Sequence, residues 1–164
     1  MHQAILKLAG GVVLAVASGA ASAHWTTTSI EVTGVIQEVP GPSARCPSKF
    51  GGTITGYGNS TLLGRVAFVA NDCITPDGAI YNFDRGRFII MTQSGDQLYA
   101  DYSGQFVPTG QGAGYVFSGA TFQIVGGTGQ YMFATGGGQL QGTEDMMTGA
   151  GTITMTGRMS YWKR

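Results

Sequence analysis

Apolar and polar residues alternate with a period of two along most of the chain, which is the pattern of β-strands that bury one face. In segment 96–107, for example, Leu98, Ala100, Tyr102 and Phe106 fall on one side, and mostly polar residues fall on the other. No window shows the sustained repeat of an amphipathic helix. The pattern predicts strands over 30–36, 50–57, 62–71, 87–93, 96–107, 115–125, 138–144 and 151–161.

Turn sequences separate these predicted strands at the spacing of β-hairpins. Examples are Pro76-Asp77-Gly78, Ser94-Gly95-Asp96 and Thr148-Gly149. Eight strands joined in this way favour an all-β fold, a single eight-stranded antiparallel barrel, because closure removes the strand edges that promote aggregation. Segment 24–49 then supplies an N-terminal strand and a proline-rich loop, and segment 50–164 supplies the body of the barrel.

Composition narrows the class of protein further. The chain has 164 residues, 28 of them glycine, and its 9 basic and 9 acidic side chains give a net charge of zero. A hydrophobic fraction of 43% is sufficient for a packed core, which argues against disorder. Glycine shows no three-residue period, which excludes collagen. The chain also lacks the stripe of basic residues that is typical of nucleic-acid-binding proteins. The length fits one domain.

The first 23 residues have the features of a cleavable signal peptide. Lys7 precedes an apolar run, and Ala21-Ser22-Ala23 is a small-residue cleavage site. The apolar segment 4–17 is shorter than the roughly 20 residues of a membrane-spanning helix. The sequence therefore predicts a secreted or periplasmic protein that is cleaved after Ala23.

Two cysteines, Cys46 and Cys73, remain in the mature chain. An even number of cysteines in an exported protein predicts a disulfide. Because prolines surround Cys46 and an apolar run precedes Cys73, the bridge is expected to join a stiff loop to the end of a strand.

Segment 122–136 carries the most specific motif of the chain. It consists of a strand, the sequence Gly126-Gly-Thr-Gly129, an aromatic residue and a further glycine, Gly136. It resembles the signature of the allene oxide cyclase and dirigent barrels, and segments 138–142, 95–104 and 56–64 are similar to neighbouring strands of bacterial secreted members. The resemblance covers residues 50–161. It implies an eight-stranded barrel with a central cavity and a homo-oligomer, often a trimer in the plant relatives. The family's catalytic residues cannot be transferred, because no matched motif contains them.

The same motif has a physical interpretation as a structural turn. Glycine permits a positive φ, so Gly126, Gly127 and Gly129 are predicted to reverse the chain, with Gly127 in a backbone conformation closed to branched residues. Thr128 is expected to cap a short helical turn. Tyr131 and Phe133 are expected to plug one end of the barrel.

Most catalytic chemistry lacks the residues that it needs. His24 is the one histidine of the mature chain and lies in a predicted tail, which argues against a catalytic triad or a copper site. Two cysteines without histidines are too few ligands for zinc, and pairing them removes a cysteine nucleophile. No cofactor motif is present, so we expect no cofactor and no metal, and any catalysis would be cofactor-free.

Four polar residues could take part in such chemistry but have simpler interpretations. Glu144 and Asp145 follow a predicted strand, and we interpret them as a solvated turn. Arg85 and Arg87 lie near Asp84, and we interpret them as partners in surface ion pairs.

Tyrosines are the stronger candidates for an interior role. Tyr102 lies on the apolar side of its strand, and Tyr57 and Tyr115 are further candidates. In a barrel that buries its apolar faces, the predicted ligand-lining side chains are Leu98, Ala100, Tyr102, Phe106, Ile153 and Met155.

Three functions remain open. The barrel could bind a small apolar molecule in its lumen and steer a cofactor-free cyclisation or isomerisation. Alternatively, it could be a non-enzymatic structural or self-associating protein. An outer-membrane barrel is the third hypothesis, but short loops and a disulfide argue against membrane insertion.

Overall fold

The computed structural model describes residues 23–163 as one closed β-barrel. The strands are β1 (His24–Pro42), β2 (Phe50–Ser60), β3 (Gly64–Asp77), β4 (Ile80–Met91), β5 (Gln97–Pro108), β6 (Gly114–Gly127), β7 (Thr135–Asp145) and β8 (Ala150–Lys163). A 3₁₀-helix, Gly129–Tyr131, lies between β6 and β7. The predicted signal peptide falls, apart from Ala23, outside the described residues.

Every strand is antiparallel to its neighbours, in chain order, and β1 closes the barrel by pairing with β8. The predicted eight-stranded antiparallel barrel is therefore confirmed. The β1–β8 ladder runs from His24 opposite Lys163 to Gln37 opposite Ala150. The N-terminal strand β1 is thus one of the eight strands of the barrel. His24 also lies in a paired strand, so its predicted place in a tail is wrong.

The barrel has two ends that differ in their connections. We call the end that carries loops 43–49, 78–79, 109–113 and 146–149 the disulfide end. The opposite end carries loops 61–63, 92–96 and 128–134 together with the start of β1 and the end of β8.

The predicted disulfide between Cys46 and Cys73 is confirmed, with the two Cα atoms 5.3 Å apart. Its position in the fold differs from the prediction in one respect. β3 continues to Asp77, so Cys73 lies inside a strand, beside a bulge between Asn71 and Cys73. The bridge therefore holds loop 43–49 against the wall of the barrel.

The core fills the barrel. Inward-facing and outward-facing residues alternate along each strand, and most of the inward-facing side chains are large. Aromatic rings pack against one another near the centre, with Phe83 contacting Phe106 at a ring-centroid distance of 4.7 Å. Phe88 packs on Tyr102 at 4.3 Å. Within residues 23–163, no helix has the length and apolar character needed to cross a membrane.

The glycine motif at the end of β6 makes a turn, as predicted, but the glycines with a positive φ do not include Gly127. Gly126 and Gly129 have the positive φ values, 132° and 55°. Gly127 is instead needed for space, since a β-carbon there would collide with the carbonyl oxygen of Gln97 and approach Tyr131.

Two side chains of this turn also differ from the prediction. The Thr128 hydroxyl does not cap the helix and accepts a hydrogen bond from the Gln97 amide at 2.8 Å. Tyr131 is buried against Tyr161, as a plug would be, whereas Phe133 is 68% exposed and plugs nothing.

We expect Gly127→Val to destabilise the barrel by about 1–3 kcal/mol, because the added side chain must displace the β5 backbone or Tyr131. Gly41→Val is the matched control, since a β-carbon at Gly41 meets no atom within 4 Å. Urea unfolding of both variants measures the effect. Equal stability of the two variants would show that close packing at Gly127 is not the constraint.

We expect the double variant Cys46→Ser/Cys73→Ser to lose about 3–4 kcal/mol of unfolding free energy, the entropy of a loop closed over a separation of 27 residues. Guanidinium unfolding of oxidised wild type and of the variant measures the difference. A variant as stable as the oxidised protein would contradict this role for the bridge.

Candidate functional site

Three carboxylic acids are buried inside the barrel near its disulfide end. Glu38 on β1, Asp72 on β3 and Glu144 on β7 are 3%, 1% and 4% exposed. We call these three residues the carboxyl cluster. Acidic side chains are almost never fully buried unless they are paired, so their burial inside an apolar barrel requires an explanation.

The strand pattern itself turns these side chains inward. Ile36, Ala70 and Leu140 face the core, and each lies two or four positions before the acid that follows it on its strand. Side chains two or four positions apart on a strand share a face. The interpretation of Glu144 as part of a solvated turn is therefore wrong, whereas its neighbour Asp145 is half-buried and caps the turn with its carboxylate.

Asp72 has two hydrogen-bond donors. The Tyr102 hydroxyl donates to Oδ2 at 2.9 Å, and the Gly52 amide donates to Oδ1 at 3.1 Å. Burial raises the pKa of Asp72 to about 6, while these two hydrogen bonds and the charge of Arg45 oppose the rise. Asp72 is thus an acid that changes its charge close to neutral pH.

Glu38 and Glu144 form an interacting pair. Burial raises the pKa of both, and the negative charge of Asp72 raises each of them further. Among residues 23–163, neither carboxyl oxygen of Glu38 has a hydrogen-bond partner of good geometry. The Glu38 carboxyl group lies directly against Gly52, where a β-carbon would force it to move. The structure therefore favours a protonated, neutral Glu38.

Tyr102 connects the cluster to the aromatic core. Its ring packs on Phe88, and its hydroxyl reaches Asp72. Burial raises the pKa of Tyr102, and the adjacent Asp72 carboxylate raises it further, so the phenol keeps its proton and acts as a donor.

The space next to the cluster is small. A central cavity of about 10 Å³ lies between Glu38, Asp72 and Tyr102, which is room for about one water molecule. Its remaining walls are aliphatic and aromatic, formed by Ile36, Ile54, Phe83, Phe88, Phe106, Phe117, Leu140 and Ile153. Within the described range 23–163, no group of three or more His, Cys, Asp or Glu side chains has an arrangement that could hold a metal ion.

The six side chains predicted to line a ligand are all buried, but the structure divides them into two groups. Tyr102, Phe106 and Ile153 line the central cavity, whereas Leu98, Ala100 and Met155 pack elsewhere in the core. Contact of any of them with a ligand stays a prediction.

Tyr57 and Tyr115, the two further tyrosines predicted to have an interior role, do not reach the cavity. Tyr57 is 70% exposed, so its predicted inward orientation is wrong. Tyr115 is half-buried beside the ring of Tyr81 and does not line the cavity.

Sequence reasoning missed Glu38 and Asp72, although a signal for both was present. Extending the inward phase of Val32 and Ile36 by one more step reaches Glu38, and extending that of Phe68 and Ala70 reaches Asp72. An acidic residue in the apolar phase of a strand was the informative feature.

We expect the free energy of unfolding to fall as pH rises above about 4.5, the ordinary pKa of a glutamate. A carboxyl group with a raised folded-state pKa binds its proton more tightly in the folded protein, so deprotonation favours unfolding, by about 1.4 kcal/mol per pH unit for each such proton. Glu38→Gln should flatten this decline, whereas Glu31→Gln on the exposed face of β1 should not. Urea unfolding between pH 4 and pH 9 measures the slopes. Equal slopes in the three proteins would contradict a raised pKa at Glu38.

Comparison with known proteins adds a distant structural likeness. No protein-family profile and no curated protein matches the chain. Among solved structures, the chain is similar to the pterocarpan synthase dirigent protein GePTS1, with a TM-score of 0.46 and 14% identity over 93% of this chain and 98% of that one. A likeness this distant carries no functional argument, and the strand pairing alone establishes the closed barrel. Membership of the allene oxide cyclase and dirigent family stays a prediction.

Proposed function

We propose that the barrel binds a small, largely apolar molecule against the carboxyl cluster and moves protons on it without a cofactor. The observation that carries this proposal is the burial of Glu38, Asp72 and Glu144 beside the Tyr102 hydroxyl in an otherwise apolar interior.

The burial of these acids works against stability. An unpaired buried carboxyl group costs several kcal/mol, and apolar residues of similar volume would make a more stable barrel. Natural sequences tend to break the rule of an apolar core at functional sites. Buried acids with raised pKa values are a common property of sites that transfer protons.

The three acids differ in what they can do. Glu38, held neutral by burial, can donate a proton or a hydrogen bond to a ligand oxygen. Asp72, oriented by Tyr102 and Gly52, can accept a proton. A donor and an acceptor on opposite sides of one ligand would allow a proton to be added at one atom and removed at another, which is the requirement of an isomerisation or cyclisation. The proton taken up by Asp72 would pass to Glu144 as Glu144 gives its own proton to Glu38, which restores the starting state of all three interacting acids.

Ligand binding requires the interior to open. A cavity of about 10 Å³ admits no organic molecule, so aromatic side chains must move. Phe117 is a suitable gate because it is half-buried, lines the cavity, and lies near the start of β6 at the disulfide end.

A second candidate is a structural or self-associating protein. The filled lumen favours this alternative, since a barrel that only supports an assembly needs no free interior space. The disulfide is typical of proteins in an oxidising compartment. For both candidate functions, the proposal includes export of the chain and its assembly into a homo-oligomer.

We expect Phe117→Ala to open the lumen and to bind acetophenone more tightly than α-methylstyrene. The two molecules have the same shape, but only the ketone accepts a hydrogen bond from a neutral carboxyl group, which is worth roughly fivefold in affinity. Adding Glu38→Met to Phe117→Ala should remove the preference. Ligand-observed NMR, with chemical shifts of the protein to locate the site, measures both affinities.

Thr143→Ala in the Phe117→Ala background is the control, because Thr143 is exposed on β7, next to Glu144 in sequence. If neither molecule binds the opened barrel, or if the hydrocarbon binds as well as the ketone, the site does not work as proposed and the structural alternative takes its place.

A further inference from the structure

We propose a second ligand site on the outer wall of the barrel, a groove across β4 to β7 that binds a short acidic saccharide. This site is separate from the interior site, and the proposal does not depend on the function proposed for the lumen.

Two rows of polar side chains run side by side across the strands. In the first row, Arg87 pairs in register with Asp101, which pairs with Gln123. In the second row, Ser103 pairs with Thr121, which pairs with Gln139. All six side chains are exposed. Neighbours within a row are about 4.8 Å apart, so the rows present a regular series of hydrogen-bonding groups.

The polar rows border a depression in the outer wall that has a volume of about 970 Å³ and is open to solvent. Gly137 on β7 lies two positions before the exposed Gln139, so it is in the outward phase of its strand, and the wall carries no side chain there. A shallow open groove suits an extended, hydrated ligand better than a compact apolar one.

Two arginines, Arg45 and Arg85, meet at the edge of the groove. Arg85 has a φ of 50°, an uncommon conformation for a residue other than glycine, and it lies in the bulge between Phe83 and Gly86. Arg45 comes from the loop that the disulfide anchors, and its Nη1 donates a hydrogen bond to the Arg85 carbonyl at 3.0 Å. Strained backbone of this kind is typical of ligand-binding positions.

Charge and chemistry identify the class of ligand. Arg45, Arg85 and Arg87 outnumber the one acid of the groove, Asp101, and a guanidinium group matches the two oxygens of a carboxylate. Amide and hydroxyl side chains between them match the hydroxyl groups of a sugar. The aromatic residues of the groove, Tyr102 and Phe122, are buried, so a nucleic acid would find no stacking surface.

Peptides are the less suitable ligand. Every strand of the closed barrel is paired on both sides, so no free edge is available for an added strand. Uronic-acid chains combine the carboxylates and hydroxyls that the groove can recognise, and the probe is therefore a galacturonic acid trimer.

We expect calorimetric titration at low salt to detect binding of this trimer and no binding of the neutral galactose trimer. Arg85→Gln and Arg87→Gln should each weaken binding about tenfold, the effect of losing one charge-assisted hydrogen bond. Arg65→Gln is the matched control, because Arg65 is an exposed arginine at the start of β3, outside the groove. Melting temperatures verify that the variants are folded.

Four results would overturn the proposal. Failure of the acidic trimer to bind would remove the site, and equal binding of the neutral trimer would remove the role of charge. An Arg65→Gln loss as large as that of Arg85→Gln would show a general attraction to positive charge. Citrate tests the sugar component, since citrate that binds as tightly as the trimer would contradict recognition of a saccharide.

Discussion

Closure of the barrel by the pairing of β1 with β8 is the constraint on which the other features depend. Fourteen residue pairs form this ladder, from His24 opposite Lys163 to Gln37 opposite Ala150. A closed barrel has one inside, and each strand must send alternate side chains into it. The inside therefore receives whatever the sequence places in that phase, which includes the carboxyl cluster as well as the aromatic core.

The fold was predictable because period-two alternation and glycine turns are local signals. They predicted eight strands and a closed barrel, and the two cysteines predicted the disulfide. Strand bounds were less predictable, since hydrogen bonds extend β1 and β3 through the proline and cysteine segments. The reason for Gly127 also escaped prediction, because the close approach of Gln97 is a tertiary contact between distant positions.

The candidate site was only partly predictable. The apolar phase of β5 identified Tyr102, but its partner Asp72 lies 30 residues away on β3 and meets it only after the strands are paired. Glu38 and Glu144 lie near strand ends, where acidic residues are normally solvated. The sequence also could not predict that the lumen is filled, because the free volume depends on how the aromatic side chains of the core pack.

We infer from the burial of Glu38 that the barrel holds a neutral carboxylic acid in its interior at physiological pH. Carbon-detected NMR of the glutamate carboxyl carbons, recorded from pH 3 to pH 9 in wild type and in Glu38→Gln, measures the charge of each group directly. The structure predicts a Glu38 resonance that keeps the chemical shift of a protonated acid at pH 7. A Glu38 resonance that titrates with the ordinary glutamate pKa of 4.5 would contradict the claim.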